Sequence, residues 1–338
     1  MNCIAFAFAA MSLIAASAHA QGVVNALCST DASWCEAAAA EFSRSTGIKV
    51  NQAHKGTGEI GAQLRAESAN PKTDIWWGGT GDPFLQAAEQ GLLEPYRPAY
   101  INDLHEWAVR QYAMSGNMVG GFYTSAIGFG YNTDVLRKKQ IPEPKCWADL
   151  VQPAYKGEIE MSHPATSGTA YTIIAGLVQQ MGEDAAFDYL KKLHKNTTAY
   201  TRSGQAQAPN VAKGEVGVGV SFIFGFDKWR YDKFPVKTAA PCEGTGYEVG
   251  GIALVKGARN KDNAKRYYDW LMSPAGQAIG AKAGSLQSPA NKTFKPDARI
   301  PSMVEVKLIK YDFEKYGKAA ERRRLIERWT REVEASPR

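Results

Sequence analysis

Apolar and polar positions follow two periods in the first ninety residues of the chain. Short apolar runs predict buried strands, and the segments between them carry apolar residues at helical spacing. The predicted elements are, in chain order, a strand at Val23–Leu27, a helix at Ala32–Phe42, a strand at Ile48–Gln52, a helix at Glu59–Ala69, a strand at Asp74–Trp77 that stops at Gly78-Gly79, and a helix at Pro83–Gln90. This βαβαβα order is typical of a parallel sheet with crossover helices.

The rest of the chain alternates in the same way after a β-rich stretch at Gly120–Asn132. Further strands are predicted near Glu158–Met161, at Val216–Ser221 and within Gly244–Lys256, and further helices at Ala170–Met181, at Ala185–His194, at Asn263–Met272 and through the C-terminal segment. No internal repeat and no low-complexity linker divides the sequence. The pattern predicts an α/β fold of two lobes joined by extended segments, with the chain crossing between them more than once.

The composition is that of a soluble folded protein. The chain has 338 residues, of which 44% are hydrophobic and 22% charged, and this excludes a disordered polymer, a coiled coil and a collagen-like fibre. The net charge is only +6. The densest basic run, Arg322 to Arg324, is interleaved with glutamates, so we expect a solvated helix face and no nucleic-acid partner.

The N-terminus has the features of a secretory signal peptide. Residues 4–18 are apolar or small, and Ala18-His19-Ala20 matches an A-x-A cleavage site. The apolar stretch is too short to span a membrane. We therefore expect residues 1–20 to be removed and the mature chain to be exported to the periplasm of a Gram-negative cell.

Four cysteines would remain after Cys3 leaves with the signal peptide, and four cysteines allow three pairings. An oxidising compartment favours disulfides over free thiols. We predict a local bond, Cys28–Cys35, and a long-range bond, Cys146–Cys242. A zinc site is the alternative, but no C-x₂-C or histidine spacing accompanies these cysteines.

Three loops follow the predicted parallel strands, and ligands gather at the carboxyl ends of such strands. They are Cys28–Asp31, Lys55–Gly58 and Gly78–Asp82. Their candidate ligand-binding residues are Ser29, Thr30, Thr57, Trp77, Gly79 and Thr80. A tight βα turn with a buried tryptophan is the alternative interpretation of the third loop, and it lacks the Gly-Lys-Ser/Thr of a nucleotide-phosphate loop.

A second candidate loop precedes the helix that begins near Ala170. It places hydroxyl residues around a glycine just before a helix, where free amides and the positive end of the helix dipole form an anion site. Its candidate residues are Thr166, Ser167, Gly168, Thr169 and Tyr171. Simple N-capping by Ser167 is the alternative.

The segment from Cys242 to Glu248 combines carboxylates and an aromatic side chain. Glu243, Tyr247 and Glu248 are candidates to bind an ammonium or hydroxyl group of a ligand, although the two carboxylates would serve equally as surface charges. Catalysis is not expected, because Ser167 is near His163 in sequence but lies in no G-x-S-x-G elbow. We predict no metal and no cofactor.

The segments quoted above, in their order, resemble the periplasmic solute-binding proteins of ABC importers, in the branch of ferric-iron, hexose-phosphate and aminoethylphosphonate receptors. The resemblance covers nearly the whole mature chain. It rests on Phe42-x₃-Thr46-Gly47-Ile48-Lys49-Val50, Asn70–Gly79, Gly91–Tyr96, Pro164–Thr169, Gly250–Ala258 and Ser273–Gln277. It implies a type II periplasmic-binding-protein fold, in which each lobe is a mixed sheet flanked by helices and the ligand lies in the cleft between the lobes.

The resemblance also implies lobe boundaries and a class of ligand. The first lobe would comprise residues 21–127 and about 240–290, and the second about 128–239 and 291–338. Iron receptors of this branch bind metal through adjacent tyrosines, where this chain has Ser221–Gly225 with Phe224. Hexose-phosphate receptors carry a His-Asp pair in that region, so this chain departs from them as well. The Ser-Gly element at 167–168, which holds the accompanying anion in iron receptors, is kept.

These expectations describe the substrate-binding component of an ABC importer that acts as a monomer. It would deliver a small phosphorylated or phosphonylated organic anion to an inner-membrane permease. In an aminophosphonate-like ligand, the phosphonyl group would lie at the helix start, the ammonium at Glu243 or Glu248 with Tyr247, and Trp77 and Phe224 would form the apolar walls. A ferric-iron receptor and an exported hydrolase are the alternatives.

Overall fold

The protein is described here by a computed structural model that covers residues 22–338; the predicted signal peptide lies outside these residues. The strands are β1 Val23–Cys28, β2 Lys49–His54, β3 Ile75–Thr80, β4 Leu93–Glu94, β5 Gly120–Asn132, β6 Ile159–Ser162, β7 Thr197–Thr201, β8 Val218–Phe222, β9 Val236–Ala239, β10 Tyr247–Val255 and β11 Ser288–Pro289. The helices are α1 Ala32–Thr46, α2 Thr57–Glu67, α3 Gly81–Glu89, α4 Glu106–Met114, α5 Thr133–Lys139, α6 Gly168–Met181, α7 Glu183–Asn196, α8 Gln207–Lys213, α9 Phe224–Tyr231, α10 Lys261–Met272, α11 Pro274–Lys282, α12 Phe313–Tyr316 and α13 Ala319–Trp329. The mixed α/β class is as expected.

The first part of the chain forms the predicted parallel sheet. β1 lies between β2 and β3 and is parallel to both, and β10 pairs antiparallel with β3. One boundary was wrong, because β3 continues through Gly78 and Gly79 to Thr80. The two glycines take φ angles of +74° and +83°, which a residue with a side chain rarely adopts, and so the strand reaches the start of α3.

A single strand, β5, runs through both sheets of the molecule. Its first half pairs with β10, from Gly120 opposite Ile252 to Ala126 opposite Tyr247. Its second half pairs with β8, beginning at Ile127. The second sheet continues from β8 to β6 and β7, all parallel. We call the part built on β1–β4 the first lobe and the part built on β6–β9 the second lobe.

Each lobe has its own apolar core. Trp34, Trp77 and Phe122 belong to the core of the first lobe. Trp147 belongs to that of the second, which also takes up Trp329 from the C-terminal helix α13. The chain therefore returns to the second lobe at its end. The C-terminal segment was predicted to be helical, and this was wrong for residues 306–312.

Both predicted disulfides are present, Cys28–Cys35 beside the first β-α connection and Cys146–Cys242 in the second lobe. Among residues 22–338, no helix is both long and apolar enough to cross a membrane.

Candidate ligand-binding site

A cavity of about 200 Å³ lies between the lobes, where the parallel strands end and helices begin. The first lobe lines it with the starts of α1, α2 and α3, and the second lobe lines it with the starts of α6, α8 and α9. The positive ends of several helix dipoles therefore converge on one small space, which favours negative charge there.

The start of α6 is equipped to bind an anion. Ser167 occupies the N-cap position, but its side chain makes no capping hydrogen bond, contrary to the simpler interpretation of this loop. The Gly168 amide donates to the Thr57 hydroxyl of the first lobe at 3.0 Å. The Thr169 and Ala170 amides have no acceptor among the described residues, and the Ser167 and Thr169 hydroxyls have no hydrogen-bond partner there.

Gly168 lies against two threonines of the first lobe. A Cβ atom at this position would lie 1.8 Å from the Thr80 hydroxyl oxygen and 2.6 Å from that of Thr57. The Thr80 hydroxyl is buried without a hydrogen-bond partner in the described chain. A buried hydroxyl without a partner is unfavourable, so this side chain is available to a ligand or a water molecule.

The first-lobe side of the cavity contains an internal hydrogen-bond network. The Gln287 amide donates to the Thr30 hydroxyl at 3.1 Å, and the Ser285 hydroxyl contacts both Asp31 and Gln287. His54 Nε2 lies 2.7 Å from the Thr30 carbonyl oxygen. The Ser29 hydroxyl donates to the Gly78 carbonyl oxygen at 2.6 Å. These groups hold one another in place.

Two carboxylates line the same cavity. Burial raises the pKa of Asp31, although contact with Ser285 partly offsets this. Burial raises the pKa of Glu248 well above its ordinary value, and the charges of Asp31 and Asp82 raise it further. The Glu248 carboxylate has no hydrogen-bond partner among the described residues. A ligand ammonium or hydroxyl group would stabilise its charged form.

Tyr123 and two phenylalanines complete the cavity walls. The Tyr123 hydroxyl accepts the Gly79 amide, and burial holds its pKa well above the ordinary value, so it is a neutral phenol. The Phe222 and Phe224 rings are stacked, with centroids 6.4 Å apart and planes at 19°. They give the second lobe an apolar wall.

The lobes are in direct contact around the cavity. The Gly58 amide donates to the Thr166 carbonyl oxygen at 3.3 Å, and Glu59 forms an ion pair with Arg202. A Cβ atom at Gly58 would lie 2.6 Å from the Ala165 carbonyl oxygen. The structure is therefore of the closed form, with the starts of α2 and α6 touching.

Most of the residues predicted from the sequence to bind ligand meet at this cavity. Those that line it are Ser29, Thr30, Thr57, Gly79, Thr80, Ser167, Gly168, Thr169, Phe224 and Glu248. Their binding of a ligand stays a prediction. The five others, Trp77, Thr166, Tyr171, Glu243 and Tyr247, lie elsewhere.

Trp77 and Tyr171 are core residues. Trp77 is fully buried in the first lobe and meets Trp34 edge to face, with centroids 5.8 Å apart. The cavity lies beyond Trp77 because β3 continues to Thr80 before it ends. Tyr171 lies on the core side of α6, where its hydroxyl donates to the Tyr316 carbonyl oxygen at 2.7 Å.

Thr166, Glu243 and Tyr247 also lie outside the cavity. The Thr166 hydroxyl donates to the Arg202 carbonyl oxygen at 2.9 Å, outside the cavity. The exposed Glu243 carboxylate accepts the Trp147 amide at 2.8 Å. Tyr247 adjoins Glu248 in β10, and successive strand residues point to opposite faces, so Tyr247 lines a different cavity of about 720 Å³.

Several cavity residues were not predicted to bind. They are Asp31, Ala32, His54, Lys55, Gly56, Tyr123, Ser203, Gly204, Gln205, Ala206, Phe222 and Gln287. The predicted loops already ended at Asp31 and contained Lys55, so these two could have been included. Tyr123 and Gln287 come from the middle of a strand and from a late connection, and no local pattern indicates that they reach the cleft.

The histidine nearest to Ser167 in sequence is held away from it by other contacts. His163 Nδ1 accepts the Ala165 amide at 3.1 Å, and Nε2 lies 3.0 Å from Glu334. His163 is therefore engaged by Ala165 and Glu334, and no hydrogen bond joins its ring to Ser167 among the described residues.

Comparison with known proteins agrees with the geometry. The AfuA periplasmic binding protein of Actinobacillus pleuropneumoniae, solved with fructose 6-phosphate bound, is 41% identical, with a TM-score of 0.89 over 94% of this chain and all of that one. The periplasmic binding protein P5PA is 34% identical, with a TM-score of 0.88 over 92% of this chain and 99% of its own. An uncharacterised Haemophilus influenzae protein is 42% identical over 95% of this chain and 93% of its own.

These similar structures are two-lobed binding proteins rather than enzymes. A sequence profile described as bacterial extracellular solute-binding protein matches residues 70–315. That match covers more than half of the chain and includes the start of α6 and the whole of β10. The chain therefore belongs to the family of bacterial extracellular solute-binding proteins.

Proposed function

We propose that this solute-binding protein captures a small phosphorylated or phosphonylated organic anion and delivers it, as a monomer, to the inner-membrane permease of an ABC importer. Its lobes would divide near residues 127, 240 and 290. The ligand would bind in the cleft and stabilise the closed form, because only a ligand that contacts both lobes favours closure.

The start of α6 is the single observation that carries the proposed ligand class. Among residues 22–338, two backbone amides and the hydroxyls of Ser167 and Thr169 are left without partners at the positive end of a 14-residue helix. Thr57 and Thr80 of the first lobe lie against the same helix start. A tetrahedral oxyanion accepts hydrogen bonds from several directions, so it fits such an arrangement better than a planar carboxylate.

The two buried carboxylates indicate what else the ligand carries. Asp31 and Glu248 line the same cavity, so the part of the ligand away from the phosphorus should present hydroxyl or ammonium donors. The bound fructose 6-phosphate of AfuA supports a hydroxyl-bearing phosphate ester. An aminophosphonate would supply an ammonium instead.

The donor set does not favour the alternative of a ferric-iron receptor. Ferric iron prefers charged oxygen donors. The one tyrosine that lines the cavity, among the described residues, is Tyr123, whose pKa burial raises well above its ordinary value. Where iron receptors have tyrosines, Phe222 and Phe224 form the wall.

The double variant Ser167→Ala with Thr169→Ala tests the anion assignment. The wild-type protein should be stabilised by a bound phosphate ester, by about 2.7 kcal/mol at a ligand concentration one hundred times the dissociation constant. Thermal shift and calorimetry would use fructose 6-phosphate and 2-aminoethylphosphonate as probes, with fructose and ethanolamine as counterparts that lack phosphorus.

We expect the double variant to fold and to lose the stabilisation, because hydrogen bonds to a charged group contribute about 1.5–3 kcal/mol each. Thr198→Ala, an exposed hydroxyl on β7, is the control and should bind as the wild type does. Full binding by the double variant would refute the assignment. Tyrosinate colour on addition of ferric citrate would support the iron receptor instead.

A further inference from the structure

The first lobe and the C-terminal helix α13 enclose a separate cavity of about 440 Å³. Arg65 comes from α2, Gln86 from α3, and Arg322 and Arg323 from α13. Ala165, from the loop before α6, contributes another part of the wall. None of these residues lines the cavity between the helix starts.

Two buried donors of this cavity lack acceptors in the part of the chain that the structure describes. Gln86 is 7% exposed and Arg322 is 8% exposed. The Gln86 Nε2 amide and Arg322 Nη1 are buried and have no hydrogen-bond partner among the described residues. Buried amide and guanidinium groups without partners are costly, and each such group in a folded protein calls for an acceptor.

Arg322 corrects an expectation from the sequence, which placed it on a solvated helix face. Its Nη2 donates to the Pro164 carbonyl oxygen at 3.0 Å, and its guanidinium lies 4.8 Å from the centre of the Tyr171 ring. Burial lowers its pKa, and the nearby Arg65 lowers it further, while Asp82 and Tyr171 act in the opposite direction. The guanidinium is therefore buried with only part of its hydrogen-bonding capacity used.

The balance of charge at this cavity is positive. Within the described part of the chain, three arginines line it, and the one acidic residue in its wall is Glu327, which is exposed. Asp82 acts on Arg322 from α3, but the Tyr311 hydroxyl donates to it at 3.0 Å, and burial raises the pKa of Asp82 to about 6. Arg65 and Arg323 are exposed and have no acidic partner among the described residues.

We propose that this cavity is a second anion site, distinct from the cleft, that takes a small inorganic oxyanion such as phosphate. Arg322 and Gln86 supply buried donors at the site, and Arg65 and Arg323 supply positive charge at its exposed side. Guanidinium groups suit this role because their donors match oxyanion geometry and their charge does not depend on pH in the neutral range.

Equilibrium dialysis with radiolabelled inorganic phosphate at low ionic strength tests the proposal, because screening by salt weakens exposed charges. The double substitution Ser167→Ala with Thr169→Ala is introduced first, to abolish phosphate binding in the cleft. We expect that variant still to bind phosphate. Adding Arg65→Ser and Arg323→Ser should weaken the remaining phosphate binding about tenfold or more, because at least one charge-assisted contact would be lost.

The matched control adds Arg97→Ser and Arg266→Ser to the same background. Both arginines are exposed on the first lobe, away from the cavity, so the control loses the same net charge and should bind phosphate unchanged. Equal weakening in both variants would indicate a general charge effect and overturn the proposal. Absence of phosphate binding in the Ser167→Ala, Thr169→Ala background would overturn it too, independently of whether the cleft takes organic phosphates.

Discussion

The two sides of the cleft differ in how their polar groups are used. On the first-lobe side, Thr30 and Asp31 belong to a network with Ser285 and Gln287. On the second-lobe side, the hydroxyls of Ser167 and Thr169 and the amides of Thr169 and Ala170 have no partners among the described residues. Around Thr30 and Asp31 the first-lobe side is organised by the protein itself, with the Thr80 hydroxyl as an exception, whereas the start of α6 has several donors left for a ligand.

This difference suggests a division of roles in binding. A network that is satisfied before binding costs little to organise, so it can hold the Asp31 carboxylate at a fixed position. Open donors at a helix start gain most when a charged acceptor arrives. The first lobe would thus set which organic group fits, and the second lobe would supply much of the affinity for the phosphorus-containing group.

Gly168→Val should abolish the contribution of the second lobe to ligand binding most completely. Its Cβ would occupy the space of the Thr80 hydroxyl, so the lobes could not close on the start of α6. We expect the variant to fold and its affinity for fructose 6-phosphate, or for whichever probe binds the wild type, to fall by at least about a hundredfold, since two or more charge-assisted hydrogen bonds would be lost.

Calorimetry would measure the Gly168→Val effect, and Gly176→Ala is its control. Gly176 lies on the same helix, but a Cβ there meets nothing closer than 3.6 Å. It should bind as the wild type does. If Gly168→Val kept wild-type affinity, the α6 start would not be the anion site.

Removal of each disulfide in turn should have different effects on the stability of the protein and on its binding of ligand. Removing Cys146–Cys242 with two serine substitutions frees a loop with a sequence separation of 96, whereas Cys28–Cys35 spans only 7. Loop entropy predicts losses in the free energy of unfolding of about 5 and about 2 kcal/mol, respectively.

Denaturant titration would measure these losses, and ligand titration of the folded variants would complete the comparison. Cys28 and Cys35 flank Thr30 and Asp31, so their removal should also weaken ligand binding, while removal of the second disulfide should not. The reverse pattern would contradict the view that the first lobe is organised before ligand binds.

Glu248→Gln should have the smallest effect on stability, and one that depends on pH. The pKa of Glu248 is raised in the folded state. The contribution of this carboxyl group to the free energy of unfolding is therefore full below pH 4.5, its ordinary pKa, and is lost as the pH rises through its pKa in the folded protein. The variant avoids burying this charge, and its Tm should exceed that of the wild type by about 1–2 °C at pH 8 and match it at pH 4.

Differential scanning calorimetry in the absence of ligand would test the Glu248 prediction. Glu160→Gln provides a comparison, because Glu160 is less buried and hydrogen bonds to Asn210. A Glu248→Gln variant less stable than the wild type at pH 8 would show that the carboxylate is charged and satisfied in the unliganded protein.

The sequence was sufficient to predict the parallel sheet, the loops at the strand ends and the helix start with hydroxyl residues at Ser167–Thr169, which lines the cavity. Local patterns determine these features, because the order of elements places strand ends together and a glycine with hydroxyl neighbours marks a helix start. The exact end of β3 was harder to predict, since glycines commonly stop a strand and here continue it. Because of this error, Trp77 was predicted to line the cavity, although it lies in the core of the first lobe.

The other differences arise from tertiary contacts that no local pattern encodes. Tyr247 and Glu248 are adjacent, and which of them faces the cleft depends on the register of β10 against β5. Gln287 reaches the cavity through a late connection, and Arg322 is buried because α13 packs beside α3 and α6. Such placements depend on how distant segments pack.

A crystal structure of the protein with fructose 6-phosphate or 2-aminoethylphosphonate, whichever binds, would show where the phosphorus group lies. We expect phosphorus-bound oxygens within hydrogen-bond distance of the Thr169 and Ala170 amides and of the Ser167 hydroxyl, with the rest of the ligand toward Asp31 and Glu248. A ligand whose phosphorus group lies away from the start of α6 would contradict this expectation.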